Sequence, residues 1–168
     1  ALVDEAGAAG LKITLDTLAD TDFLTAAQIV QANLSEIGIN LEIEQHDGGS
    51  FWSLATTKGK EGLDMNFNRW LAPPDLSWTT QWLLSTQAGI WNLQWFESQE
   101  FDDMHFAAMG ETDNSKRSDM LKQLQQMLDD SACYLWITQP PRPMVWQTDV
   151  VPAMKPNGDP RLELFRRA

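Results

Sequence analysis

The chain has 168 residues, enough for one domain that buries roughly 70% of its unfolded surface without disulfides or a structural metal. Its net charge of -12 argues against nucleic acid as a partner, because that binding rests on cationic neutralisation of phosphates. No apolar run approaches the ~20 residues of a membrane span, residues 1 to 20 lack the basic start and apolar stretch of a signal peptide, and the single cysteine cannot form an internal bridge.

Residues 1 to 9 read as the last turns of a helix that stops near Gly10. Leu11, Ile13 and Leu15 then alternate with Lys12, Thr14 and Asp16, the period-two pattern of a strand. Asp22 is the expected N-cap of a helix whose stripe is Ala27, Val30, Leu34 and Ile37, with Gly38 at its stop. Ile39, Leu41 and Ile43 alternate with Asn40, Glu42 and Glu44, so a second strand closes a β-α-β unit and the sheet is at least partly parallel. Residues 47 to 50 form a turn in which Ser50 caps a short helix carrying Phe51, Trp52, Leu54 and Ala55.

The most informative stretch follows. Leu63, Met65 and Phe67 alternate with Asp64, Asn66 and Asn68, predicting a strand over residues 63 to 70 that Pro73 and Pro74 forbid from continuing. Trp70 is left at its carboxyl end beside Asn68 and Arg69, in the region where open α/β sheets hold ligands; packing into the core is the competing role for its ring. Arg69 has two readings as well, a polar ligand contact or a surface charge on the opposite face of the strand. Asp75 is placed to cap a helix with Trp78 and Trp82 on one face.

After a loop at 86 to 97, Ser98 opens a helix with Phe101, Met104, His105 and Ala108 along a stripe. Asn114 or Ser115 opens the longest helix, striped by Met120, Leu121, Leu124, Met127 and Leu128. Residues 133 to 138 are predicted as a last strand with Cys133 a small buried hydrophobe, and the proline-rich remainder as extended surface chain. These elements make an α/β fold, a mixed and mostly parallel sheet flanked by helices.

No common catalytic constellation is present. The chain lacks a G-x-S-x-G elbow, a Walker loop and a G-x-G-x-x-G, and Gly48-Gly49 is too short to cradle a phosphate. His46 and His105 have no metal-ligand spacing, so neither a metal nor another cofactor is expected; His105 reads as a half-buried helix residue, and His46 ends the second strand just before the Gly-Gly turn, where it either borders the cleft or is a solvated loop residue. Asp47 and Asp75 read as turn and cap residues rather than an acid and base pair. Eight tryptophans against one tyrosine instead favour a binding surface, where a flat apolar face must offer a polar handle.

The segment ALVDEAGAAGLKITLDTL, followed by AAQIVQANLSEIGINLEIEQHDGGSFWSL, resembles the C-terminal lobe of family 5 extracellular solute-binding proteins, the oligopeptide, dipeptide and nickel receptors of ABC importers. The stretches WNLQWFESQEFDDMHFAAM, SKRSDMLKQLQQMLDDSACYLWIT and DVVPAMKPNGDPRLELF are also similar to the family's ending, so the resemblance runs over essentially the whole chain. It implies that residues 1 to 168 form a single domain, one lobe of the type II periplasmic-binding-protein fold. The N-terminal lobe, hinge and any signal would lie outside this sequence.

The resemblance further implies a non-enzymatic, periplasmic or extracytoplasmic receptor lobe. It would bind a solute, peptide-type by analogy, and meet a membrane permease through the intact receptor, with no membrane insertion of its own. The implied ligand contacts are Trp70, Asn68, Arg69, Leu71, Asp75 and Trp78, with Thr138 and Gln139 at a later strand end. Pro73 stands where the family commonly has the aspartate that pairs with a peptide's amino terminus, leaving the displaced Asp75 for that role. Gly48 lies near a cleft tryptophan of many peptide receptors, and Trp52 is the residue that would compensate. The alternative implied function is a ligand-sensing domain of a transcriptional regulator, since the same lobes occur fused to DNA-binding modules.

Overall fold

The computed structural model describes residues 2–70, 75–138 and 143–168. They fall into two compact units. The first runs to Trp70 and resumes over Gln81–Met104, and the second holds residues 75–80 and those from His105 onward.

The first unit begins with α1 (Leu2–Glu5), shorter than the helix expected up to Gly10, and is built on β1 (Lys12–Leu18). α2 (Thr21–Glu36) leads to β2 (Asn40–His46), which pairs in parallel with β1 from Lys12↔Asn40 to Leu18↔His46. α3 (Gly48–Trp52) and α4 (Leu54–Thr57) then lead to β3 (Met65–Phe67), which pairs in parallel on the other edge of β1. The strand order is β2-β1-β3, as an α/β chain with parallel crossovers requires.

Strand alternation sends two sets of side chains to opposite faces. Ile13, Leu15, Leu41, Ile43, Met65 and Phe67 pack on Ala27, Val30 and Leu34 of α2. On the other face Leu18 joins Phe51, Leu54, Ala55 and Leu93. Phe51 is wholly buried, and complete burial of such a ring contributes about 1.5 to 3 kcal/mol.

The ends of the elements differ in detail from the sequence expectations. Asp20, in extended conformation, holds the N-cap position of α2 without a side-chain cap bond, and Asp22 lies in the first turn, where its charge complements the helix dipole. Ile37 falls past the helix end and is exposed, while Gly38 stops it at φ 83°, with Ile39 N–H bonding Leu34 O at 3.0 Å. Asp47 rather than Ser50 caps α3, its carboxylate accepting from Ser50 N–H at 2.9 Å and Ser50 Oγ at 2.8 Å. β3 covers only three of the residues expected between 63 and 70.

In the second unit α5 (Ser77–Thr80) is a single turn, and the chain re-enters the first unit with a 3-10 turn at Gln81–Leu83. The continuous helix that would have put Trp78 and Trp82 on one face is therefore not formed. α6 (Gln99–Gly110) starts in the first unit, where Ser98 Oγ accepts from Phe101 N–H at 3.2 Å, and ends in the second, where buried His105 Nδ1 lies 2.9 Å from Thr80 Oγ1. α7 (Asn114–Asp130) is capped by Asp113, one residue before the expected openers, and buries Leu124 and Leu128.

The strand predicted over residues 133 to 138 is absent: that stretch is irregular, Cys133 is exposed, and Leu135, Trp136 and Ile137 face solvent. A strand needs a ladder partner, and among the described residues none lies beside this one. Ala132 also turns the chain at φ 55°. The C-terminal stretch is not wholly irregular, because β4 (Val150–Val151) pairs antiparallel with β5 (Arg166–Arg167).

Candidate functional site

β2 and β3 flank β1 on opposite sides, so the chain reverses its direction of winding at β1. In open α/β sheets the crevice beyond the carboxyl ends at such a point is the usual ligand position. β3 ends there, and Trp70 follows three residues after Phe67.

Trp70 does not stand alone. Its ring centroid lies 5.6 Å from Trp52 and 6.4 Å from Trp91. Trp91 also lies 5.6 Å from Trp52 and 5.4 Å from Trp82, so it touches each of the other indoles. Trp52 meets wholly buried Phe51 edge to face at 5.1 Å, which anchors the group to the core. Trp52, Trp70 and Trp82 are half-buried and Trp91 is 38% exposed, so the group forms an aromatic wall with open faces.

The loop carrying Trp91 is fixed by one buried amide. Asn92 Nδ2 donates to the carbonyls of Leu83, Leu84 and Phe96 at 3.2, 3.3 and 2.6 Å, and its Oδ1 accepts from Phe96 N–H at 3.0 Å. Gly89, at φ 77°, lies against the Trp95 ring, where an added Cβ would come within 3.1 Å of Cζ2. Trp95 itself takes a left-handed φ of 49°. A loop held this tightly gives Trp91 a defined place.

Neutral amides border the wall. Asn66 Oδ1 accepts from Asn68 Nδ2 at 2.9 Å and from Gln94 Nε2 at 3.2 Å, joining the end of β3 to the Trp91 loop. Arg69 points elsewhere: its guanidinium sits 5.2 Å over the Phe23 ring of α2, and Phe23 packs edge to face on Phe67. That places it on the α2 side of the strand, so of its two readings the surface-charge one describes its position.

Solved structures supply a match to this fold. A dipeptide binding protein from a Pseudoalteromonas species, in complex with Met-Leu, superposes with a TM-score of 0.72 at 18% identity over 99% of this chain and 34% of its own. The periplasmic binding protein DppA of Helicobacter pylori, in complex with the peptide STSA, gives 0.65 at 24% identity over 80% of this chain and 27% of its own. The chain has the fold of part of an ABC-transporter substrate-binding protein. NikA of Staphylococcus aureus, in complex with Ni(L-His)2, matches at 0.63 with 14% identity over 79% of this chain and 29% of its own. The chain thus spans about a third or less of the length of these proteins. No family model matches it, and no curated protein does.

Several residues expected in a substrate-binding cleft lie in the second unit. Trp78 is 60% exposed, and Thr138 is exposed in the irregular stretch. Asp75 Oδ1 accepts from Arg117 Nη2 at 3.0 Å, Ser77 Oγ at 2.8 Å and Ser77 N–H at 3.0 Å. The Arg117 bond, followed by the Ser77 hydroxyl, holds its carboxyl down at about 2. Leu71 and Gln139 lie outside the described residues.

A polar cluster missed in the sequence occupies the sheet face opposite α2. Wholly buried Asp16 accepts from Lys58 Nζ at 2.8 and 3.0 Å, and its Oδ1 lies 2.6 Å from His46 Nε2. Lys58 also donates to Glu44 at 2.8 Å. Burial pulls the Lys58 ammonium down, but its bonds to Asp16 and Glu44 outweigh this and raise it, while Lys58 in turn lowers Glu44. Asp16, Glu44 and His46 bring ligand-type atoms within 4.8 Å of one another, yet the Lys58 ammonium already supplies the positive charge there. His46 is the last residue of β2, as its place before the Gly48-Gly49 turn implies, but its side chain is only 18% exposed and meets Asp16 instead of solvent.

Proposed function

We propose that residues 1 to 168 are the C-terminal, solute-gripping lobe of a two-lobe substrate-binding protein serving an ABC importer. The observation that carries this is the aromatic wall of Trp52, Trp70, Trp82 and Trp91 at the switch point of a sheet whose fold matches such proteins. Binding rather than catalysis is its task, with Trp70 and Asn68 as first contacts. Of the other residues implied by the resemblance, Trp78, Asp75, Thr138, Leu71 and Gln139 are kept, and Arg69, set over the Phe23 ring, is not.

The receptor closes on its solute outside the cytoplasm and presents the closed form to a membrane permease. No described helix is long and apolar enough to cross a membrane. Two of the matched proteins are described with peptides, so di- to tetrapeptides are the reference solutes, with nickel–histidine complexes next.

The test is a titration of the intact receptor followed by tryptophan emission, which a wall of four indoles makes sensitive to solute. A saturable change, abolished by Trp70→Ala with Trp91→Ala, is expected. Saturable solute binding that leaves the emission unchanged and survives both substitutions would remove the wall from the site.

A further inference from the structure

Residues 76 to 96 contain no Asp, Glu, Lys, Arg or His, although the protein carries a net charge of -12. The chain from 68 to 74 adds only Arg69, whose guanidinium is turned to Phe23. Asp16 and Glu44 on the adjoining strands share the single Lys58 ammonium, and Asp16 Oδ1 also lies 2.6 Å from His46 Nε2, so both carboxylates are engaged within their own cluster. The wall is therefore a set of indole faces edged by amides, and the segment 76 to 96 that carries Trp82 and Trp91 brings no charged side chain to it.

The amides keep bonding capacity for a ligand. Asn66 Oδ1 is occupied, but Asn66 Nδ2, Asn68 Oδ1 and Gln94 Oε1 take no part in the bonds that join these residues. Among the described residues no buried side-chain nitrogen or oxygen lacks a partner, so these atoms reach solvent. They offer both a donor and acceptors, the complement of a hydroxyl group.

We propose that this wall binds a neutral saccharide, an assignment that rests on the solute-binding reading above. A sugar ring has C–H faces that pack on indoles and an edge of hydroxyls that donate and accept, and it carries no charge to be compensated. A zwitterionic peptide would bring an ammonium and a carboxylate, each costly to desolvate without an opposite charge.

The experiment is calorimetry and tryptophan emission on the intact receptor with cellobiose, maltose and diacetylchitobiose, run beside dialanine, trialanine and Ni(II)–histidine. Binding of a disaccharide is expected, with an affinity that barely changes with salt because no charges are screened. Trp91→Ala and Asn66→Ala should each weaken it by about tenfold or more, and Trp91→Phe should restore most of the loss. Peptide binding without any saccharide response overturns the saccharide assignment and leaves the solute-binding reading standing. No heat with any solute overturns both, and saccharide binding unchanged in Trp91→Ala and Asn66→Ala moves the sugar away from this wall.

Discussion

Asp75 and Arg117, 42 residues apart in sequence, meet at 3.0 Å between Oδ1 and Nη2, and the same guanidinium reaches back to the Ala108 carbonyl at 3.1 Å. Arg117 thereby ties the start of α5 to the end of α6 within the second unit.

The first prediction follows from the carboxyl held at about 2 against an ordinary 3.8. A lowered folded-state pKa contributes stability that is present above the unfolded value and lost as pH falls through the folded one, so the window lies between 3.8 and about 2. The side chain is 43% exposed, which screens the pair and limits the contribution to about 1 kcal/mol or less. Urea unfolding of Asp75→Asn beside the parent should show a deficit at neutral pH that closes as pH descends through this window. A deficit independent of pH would mean that the loss does not come from the charge of the carboxylate.

A larger effect is expected at Lys58. Asp16 is wholly buried, and removing its ammonium partner leaves the carboxylate with only His46 beside it, a loss of up to about 3 to 5 kcal/mol. Lys58→Met should show that loss in chemical denaturation, and adding Asp16→Asn should recover much of it. If the double variant is as unstable as the single one, the cluster acts by packing rather than by charge.

Much of the first unit was legible because its patterns are local. Ile13 and Leu15 face α2 as their alternation implies, and Gly38 stops α2 because a residue at φ 83° needs no Cβ there. Residues 133 to 138 misled because strand propensity measures fit to a pleated surface that a neighbour must supply. The place of Trp70 was legible only approximately, because β3 ends at Phe67, three residues before it. Trp91 was not, since its place depends on Asn92 reaching Leu83, Leu84 and Phe96 in a loop without period. The Asp16 and Lys58 pair becomes visible only once the register sets Asp16 opposite Glu44.

Asn92 gives the third prediction. Replacing it with alanine leaves three carbonyls and one N–H around a buried void, and losing such partners costs about 2 to 3 kcal/mol where water does not replace them fully. Hydrogen exchange should show the loss concentrated over residues 83 to 96, with the β1 and β2 amides opening only at the lower global stability. Uniform loss across both regions would mean that the loop does not open separately from the sheet.

The last prediction separates recognition from packing on the wall itself. Trp91 is 38% exposed, so Trp91→Ala removes an open aromatic face and leaves little void, whereas Phe51→Ala empties a wholly buried site beneath Trp52. In the intact receptor Trp91→Ala should weaken solute binding by roughly 1 to 3 kcal/mol while lowering stability by less than about 1 kcal/mol. Phe51→Ala should cost about 3 to 5 kcal/mol of folding free energy, and binding should suffer only as far as Trp52 shifts. Trp70→Ala belongs between them: its ring is half-buried, so it should lower both affinity and stability, with the affinity loss the larger. Calorimetric titration and urea unfolding on the same three variants supply both numbers. If Trp70→Ala matched Phe51→Ala in stability and left affinity intact, Trp70 would be a support for Trp52 and Trp91 rather than a surface that meets the solute.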